Sequence, residues 1–329
     1  MATGAGRAGG LAWPLLFLLS SCGYVGDPLP PLANVPGQIQ DLAAIQRGAR
    51  LIVHFTPPLR TTENMAIKTP LRLDLRIGTA SPPFEAGTWA AHARQIAAPP
   101  VVNGMAEYDI PTTEWTGKNV TIAARVIGAN GKESGWSNFV NLAVVPAPPR
   151  PANFRPEVRA DGVRLTWEGG PGEYHVFRRV ADEKNFAEVA KVSEPEWLDR
   201  DMKFGTEYTY LVQRIVPAGD RVAQSELSEP AVVTPKDTFP PAAPQGLRAI
   251  AAAQSIELTW ERSPEPDLAG YRIYRAIGDA AFEKLADISQ LPAYSDRAVE
   301  SGKTYRYQIS ALDQSANESP RSAPVSATL

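Results

Sequence analysis

Arg164-Leu165-Thr166-Trp167-Glu168 and Glu257-Leu258-Thr259-Trp260-Glu261 are nearly the same pentapeptide, met twice at an offset of 93 residues. Two further pairs follow at an offset of 97. Tyr174 to Arg179 (YHVFRR) matches Tyr271 to Ala276 (YRIYRA), and Gly205 to Ile215 (GTEYTYLVQRI) matches Gly302 to Leu312 (GKTYRYQISAL). A four-residue insertion within Ser263 to Gly270 reconciles the offsets. A period near 95 residues is too long for a solenoid repeat and fits tandem whole domains. Inside each copy apolar and polar residues alternate with period two, which turns one strand face inward. Val163, Leu165 and Trp167, then Tyr174 and Val176, then Tyr208, Tyr210 and Val212 form one predicted core. Ile256, Leu258 and Trp260, then Tyr271 and Ile273, then Tyr305, Tyr307, Ile309 and Ala311 form the next. No stretch sustains a helical period. Short alternating runs broken by Pro, Gly, Asp and Asn predict an all-β chain of antiparallel sandwiches.

At these residues the chain resembles fibronectin type III domains, with a tryptophan in the second strand, a tyrosine two residues before an aliphatic in the third, and a tyrosine after G-x-x near the sandwich end. The resemblance implies tandem immunoglobulin-like β-sandwiches. It makes Trp167 and Trp260 core residues, and Tyr208 and Tyr305 corner tyrosines that hydrogen-bond back to the chain. Pro148-Pro149-Arg150-Pro151 and Pro240-Pro241-Ala242-Ala243-Pro244 are similar to the family's interdomain joints. Residues 37–147 read as a divergent first copy. Gly117 to Ile127 takes the place of the corner strand with Val120 for the tyrosine, and Phe55 stands nearest the missing tryptophan. The expected units are therefore 1–21 as signal peptide, 22–36 as a Pro-rich stalk, and sandwiches over 37–147, 148–237 and 238–329.

The signal-peptide assignment rests on Leu11 to Leu19 (LAWPLLFLL), an apolar run of signal-peptide length and about half of what a spanning helix needs. Leu19-Ser20-Ser21-Cys22 follows, with the chain's one cysteine directly after two small residues. This resembles the lipobox of bacterial lipoproteins, which implies that the Cys22 thiol is alkylated with diacylglycerol and that cleavage leaves Cys22 as the new N-terminus. The alternatives are an ordinary secretory signal with an incidental Cys22, or an apolar core segment. A free cysteine is a liability in an oxidising envelope, and this one sits where lipid chemistry would use it. Pro28, Pro30, Pro31 and Pro36 favour extended polyproline conformation in the stalk. Gly23 rather than Asp after the cysteine favours the outer membrane, by the sorting rule of enteric bacteria. The expected location is thus the bacterial cell envelope, with membrane lipid as the partner of acylated Cys22.

Composition narrows the chemistry. With 33 Lys plus Arg against 36 Asp plus Glu, the net charge is −3, which gives a nucleic-acid backbone no reason to bind. One cysteine excludes an internal disulfide framework or a multi-Cys zinc site. Of the three histidines, His54 lies in a predicted strand, His92 in a polar Ala-rich segment and His175 on an outward strand face beside Tyr174, and GxSxG, HExxH and phosphate-loop motifs are absent. No catalytic residue, metal or cofactor is assigned, and the expectation is a non-enzyme. Glu265 and Asp267, and Asp313, Asn317 and Glu318, make two acidic loops that lack EF-hand spacing and read as Asx turns. Period two turns Phe177 and Tyr274 outward at matching places in two domains, and outward aromatics stack on sugars or anchor proteins. They form the candidate binding face unless neighbouring Arg178, Arg272 and Arg275 cover them. The expected function is a binding or scaffold module for an envelope protein or glycan. An accessory carbohydrate- or peptidoglycan-binding unit of a hydrolase system is the alternative.

Overall fold

A computed structural model of the chain describes Met1, Gly4 and residues 34–67, 71–98 and 101–329. The apolar run Leu11 to Leu19 expected to belong to a signal peptide, Cys22, and Pro28, Pro30 and Pro31 of the expected stalk lie outside the described residues. The strands group into three sandwiches of one plan. The first comprises β1 (Ala43–Arg47), β2 (Arg50–Phe55), β3 (Arg72–Gly78), β4 (Arg94–Ile96), β5 (Ala106–Pro111), β6 (Asn119–Ile127) and β7 (Val140–Ala143), with a short helix α1 (Ala86–His92) between β3 and β4. The second runs through β8 (Ala152–Arg159), β9 (Gly162–Glu168), β10 (Glu173–Val180), β11 (Ala187–Val192), β12 (Glu196–Asp199), β13 (Tyr208–Ala218), β14 (Arg221–Gln224) and β15 (Ala231–Val233). The third is β16 (Arg248–Ala251), β17 (Ile256–Thr259), β18 (Leu268–Ile277), β19 (Glu283–Ile288), β20 (Ala293–Asp296), β21 (Thr304–Asp313) and β22 (Val325–Thr328). In each, three strands face four: β1-β2-β5 against β4-β3-β6-β7, β8-β9-β12 against β11-β10-β13-β15, and β16-β17-β20 against β19-β18-β21-β22. This is the tandem immunoglobulin-like arrangement expected from the period-two patterning.

The inward faces are those the alternation marks. Val163, Leu165, Trp167, Tyr174, Val176, Tyr208, Tyr210 and Val212 make one buried cluster. Ile256 to Ala311 supply its counterpart, with every residue of the predicted third-domain core buried. Trp167 meets Tyr174 edge-on at 5.3 Å, and Trp260 meets Tyr271 at 5.1 Å. Tyr208 Oη accepts the Lys203 N–H and Tyr305 Oη the Glu300 N–H, both at 2.9 Å, so each corner tyrosine ties its strand to the preceding turn. In the first sandwich Phe55 is fully buried and stacks on Tyr108 at 5.8 Å, while Val120 and a partly buried Trp115 fill the corner. The helix α1 is a departure from the sequence reading. Seven residues, of which only Trp89 and Ala90 are buried, are too few to display a helical period.

Two local devices recur in all three sandwiches. Gly117, Gly205 and Gly302 stand at the turn before the long strand with φ of +80°, +80° and +81°, a region costly for any side chain. Their N–H groups reach the last strand's end at Val144, Pro235 and Leu329. The second is a pair of serines spaced S-x-x-S: Ser134 and Ser137, Ser225 and Ser228, Ser319 and Ser322. Each hydroxyl accepts a backbone N–H of the long strand, from Val126, Ala124, Arg214, Val212, Ala311 and Ile309 respectively, at 2.8–3.1 Å. Each serine N–H donates to the carbonyl of that same residue. The chain is thereby held to the sheet where regular strand pairing has lapsed, with its buried backbone groups satisfied.

The second and third sandwiches each bury a carboxylate with matching partners. Asp199, 1% exposed, accepts from Tyr210 Oη and Arg178 Nη1 at 2.7 Å, and Asp296, also 1% exposed, accepts from Tyr307 Oη at 2.7 Å and Arg275 Nη1 at 3.0 Å. Burial, reinforced by these carboxylates, pushes both tyrosine hydroxyls well above the ordinary phenol range.

The first two sandwiches share a sheet. After β13 the chain doubles back as β14, which lies parallel to β1 with Gln46 opposite Ala223 and Arg47 opposite Gln224. Gly48 N–H donates to Gln224 O at 2.7 Å, and Arg50 bridges Asp109 and Glu226. Gln46, 2% exposed, exchanges hydrogen bonds with Val145 N and O at 3.0 and 2.8 Å, so the connecting segment is fastened to the first sandwich. Arg150 pairs with Glu229 at 2.8 Å and fastens it to the second. The second joint holds no strand pairing; Asn317 Nδ2 crosses it to Asp237 O at 3.3 Å. Gly219, at the β13–β14 turn with φ +68°, has room for a Cβ only 3.2 Å from the Ala143 Cβ. Gly219→Val should therefore strain the turn by about 1.4 kcal/mol, equivalent to roughly tenfold in the opening equilibrium. Hydrogen-exchange mass spectrometry is expected to show about tenfold faster exchange at Gly48, with Gly302 in the third domain unchanged.

Candidate functional site

The outer face of each four-stranded sheet is where the sequence places its candidate binding aromatics. Strand register makes Arg76, Phe177 and Tyr274 equivalent: each follows an inward residue, Leu75, Val176 or Ile273, paired with Ala124, Val212 or Ile309. These partners are the residues clamped by Ser137, Ser228 and Ser322. The third position of each S-x-x-S, Trp136, Leu227 or Arg321, is thereby fixed beside that face.

In the third domain this arrangement closes the face. Tyr274 is only 7% exposed, with the Arg321 guanidinium 3.5 Å above its ring centroid. Its hydroxyl donates to Glu318, which also accepts from Ser310 Oγ at 2.7 Å and pairs with Arg272. Burial opposes charge on Glu318, but the hydrogen bonds from Tyr274 and Ser310 and the Arg272 charge together hold its carboxyl below the usual value. The expectation of an exposed aromatic at Tyr274 is thus corrected. Its ring does point away from the core, and a cation of its own chain covers it. Phe177 is half-buried beside His175, at 6.5 Å between ring centroids. The covering arginines differ from those expected. Arg178 and Arg275 turn instead to the buried Asp199 and Asp296, and Arg272 is held by Asp287 at 2.8 Å.

The first domain makes the same pair with the roles exchanged. Trp136 lies under Arg125 at 4.5 Å and Arg76 at 5.8 Å, and both arginines bind the buried Asp74. Trp136 meets Trp89 of α1 at 5.7 Å, and Phe139 meets Trp89 at 5.5 Å and Phe84 at 4.9 Å. This aromatic cluster pins the helix to the sheet, and Arg76 adds a hydrogen bond to Ala90 O. The serine clamps are not apparent from any one copy of the sequence. The signal available was the recurrence of S-x-x-S in all three copies.

The histidines take structural positions. His175 is bracketed by Glu173 and Glu188, each at 2.9 Å, and His92 Nδ1 contacts Thr88 O at 2.9 Å within α1. His54 lies on β2 opposite Glu107 and Ala43. The two acidic loops do converge. Asp267 and Asp313 each bring a carboxylate oxygen to within 4.8 Å of one another and of Asp237 from the joint. Asp313 is already occupied as a turn cap, accepting Asn317 N–H and Asn317 Nδ2 at 2.8 Å each. Three carboxylates offering one oxygen apiece are about half of the six to eight that calcium takes.

No family model matches the chain. Over 198 aligned residues, 55% of this chain, it is 29% identical to Exoglucanase B of Cellulomonas fimi, of which the match spans 17%. A solved structure of the chicken CNTN1 FN1-FN3 domains matches 89% of this chain and 98% of that one, at 17% identity and a TM-score of 0.29.

The covered face sets an energetic expectation. Tyr274→Ala removes a buried ring and one of the hydrogen bonds to Glu318, and should cost the third domain about 3 kcal/mol. Phe177→Ala, at a half-buried site, should cost the second domain about 1 kcal/mol. Urea unfolding of each variant, followed by hydrogen exchange within the affected domain, measures both. Equal and negligible losses would mean that the rings are free to bind a partner.

Proposed function

We propose that the chain is a lipid-anchored envelope protein whose tandem sandwiches serve as a non-enzymatic binding or scaffold module. The observation that carries the scaffold reading is the strand-level joint between β1 and β14. A protein that only needed to display separate binding domains would gain nothing by fusing two of them into one sheet, whereas a spacer or platform needs fixed orientation. The anchor reading is supported by the apolar run Leu11 to Leu19 leading to the sole cysteine, Cys22, and Gly23 favours the outer membrane. Among the described residues no helix is long and apolar enough to cross a membrane.

A second reading, an accessory carbohydrate- or peptidoglycan-binding unit of a hydrolase system, is favoured by the likeness to part of an exoglucanase. Retention of the purified chain on cellulose or peptidoglycan sacculi would select it over the scaffold reading.

Metabolic labelling with a fatty-acid analogue is expected to mark the full-length chain and to leave Cys22→Ala unmarked. Equal labelling of the two would remove the anchor.

A further inference from the structure

Exposed large apolar side chains are concentrated at one end of the first domain. Leu59 is 80% exposed, Met65 50%, Val101 48%, Val102 62% and Met105 45%. All five lie on the connections β2–β3 and β4–β5. Strand register puts these connections at the same pole: β2 ends at Phe55 opposite Ala106, where β5 begins, and β3 begins at Arg72 opposite Ile127, where β6 ends. β4 runs antiparallel to β3 and therefore leaves toward that pole. The other large exposed apolar residues of the described chain are dispersed over the second and third domains, apart from Met1 and from Phe84 on the β3–β4 connection.

These residues sit on tight turns with their own internal hydrogen bonds. Val102 and Met105 exchange N–H to O bonds of 3.0 Å across Asn103 and Gly104, whose φ values of +52° and +79° close a two-residue hairpin. Thr61 N–H donates to Met65 O at 2.9 Å and Ile67 N–H to Leu59 O at 3.0 Å, with Asn64 at φ +64° turning the loop between them. Hairpin tips are ordinarily polar, because they meet water. Here the backbone of each turn holds apolar side chains outward, and this costs hydration free energy unless something covers them.

The path of the chain identifies the cover. Gly37 N–H donates to Arg60 O and Thr62 N–H to Val35 O, both at 2.9 Å, and Asn130 Nδ2 donates to Asn34 O at 3.2 Å. The chain therefore enters the first sandwich at this same pole. Cys22 precedes Asn34 by twelve residues, a contour of at most about 40 Å. We infer that the pole formed by Leu59, Met65, Val101, Val102 and Met105 seats on the lipid bilayer that holds Cys22, a reading that rests on the anchor proposed above. The anchor supplies proximity, and the two apolar turns supply a second contact that fixes how the first domain stands on the surface. The two acyl chains of a diacylglyceryl group supply firm retention, so the apolar turns act on the orientation of the domain and not on whether it stays bound.

Cys22 is the only thiol, so the unprocessed full chain can be coupled through it to a maleimide lipid in vesicles of phosphatidylethanolamine and phosphatidylglycerol. The control is the same chain capped with N-ethylmaleimide. Oxidation by a membrane-impermeant chloramine is followed at each methionine by mass spectrometry. Met65 and Met105 are expected to oxidise at least about fivefold more slowly when tethered, with Met202 of the second domain unchanged, and Val102→Asp should abolish the protection. Equal rates at Met65 and Met105 with and without the tether would overturn the inference. So would protection that persists in Val102→Asp, or that arises only when envelope proteins are added. Because the tether is chemical, this outcome is independent of whether cells acylate Cys22, which the labelling experiment decides separately.

Discussion

A strand at the margin of a sheet carries a row of unpaired N–H and C=O groups, and a soluble domain must pair, cover or blunt that row. β1 is such a strand in the first sandwich, and it is covered by β14 of the second. The rest of the relationship between the two domains follows from this pairing. The parallel register brings Gly48 N–H to Gln224 O and Glu226 to Arg50, and sets the β13–β14 turn against Ala143 at the end of β7, where a side chain at position 219 would be crowded and its positive φ strained. Strand edges elsewhere are managed locally, by short last strands and by the serine clamps that hold the adjoining chain to the sheet without a continuous ladder.

The clamps also decide the character of the outer faces. By fixing the backbone on both sides of the S-x-x-S third position, they place Trp136 over arginines in the first domain and Arg321 over Tyr274 in the third. A cation over an aromatic ring is favourable on either arrangement, so the strand and the clamp exchange partners between copies without loss. At Tyr274 the outward aromatic is the strand half of a covering pair. It is not, by itself, a sign of a ligand.

The three-against-four sandwiches were legible because period-two alternation reports burial directly. Every residue assigned to the cores of the second and third domains is buried, down to Ala311. The divergent first copy was legible more faintly, through Val120 in the corner strand Gly117 to Ile127 and through Phe55. Its strongest markers were the turn glycine Gly117 and the paired Ser134 and Ser137, whose roles appear only when all three copies are superposed. Three features left no local trace. The helix α1 is too short for a period. The β1–β14 pairing joins residues nearly 180 positions apart and depends on tertiary geometry. The burial of Tyr274 depends on Arg321, 47 residues further on, and alternation gives the direction of a side chain but not what lies above it. The proposed lipidation of Cys22, by contrast, rests on sequence alone, at a position outside the described residues.

Two domains held by a shared sheet form one body, whereas the joint to the third, bridged by Asn317 and Asp237, allows reorientation. Double electron–electron resonance on the Cys22→Ala chain addresses this most directly. One spin-label pair replaces the exposed Glu107 and Lys191, across the first joint, and the other replaces Lys191 and the exposed Glu283, across the second. The account predicts a single narrow distance distribution for the first pair and a broader one for the second. A distribution for Glu107 and Lys191 as broad as that for Lys191 and Glu283 would contradict it.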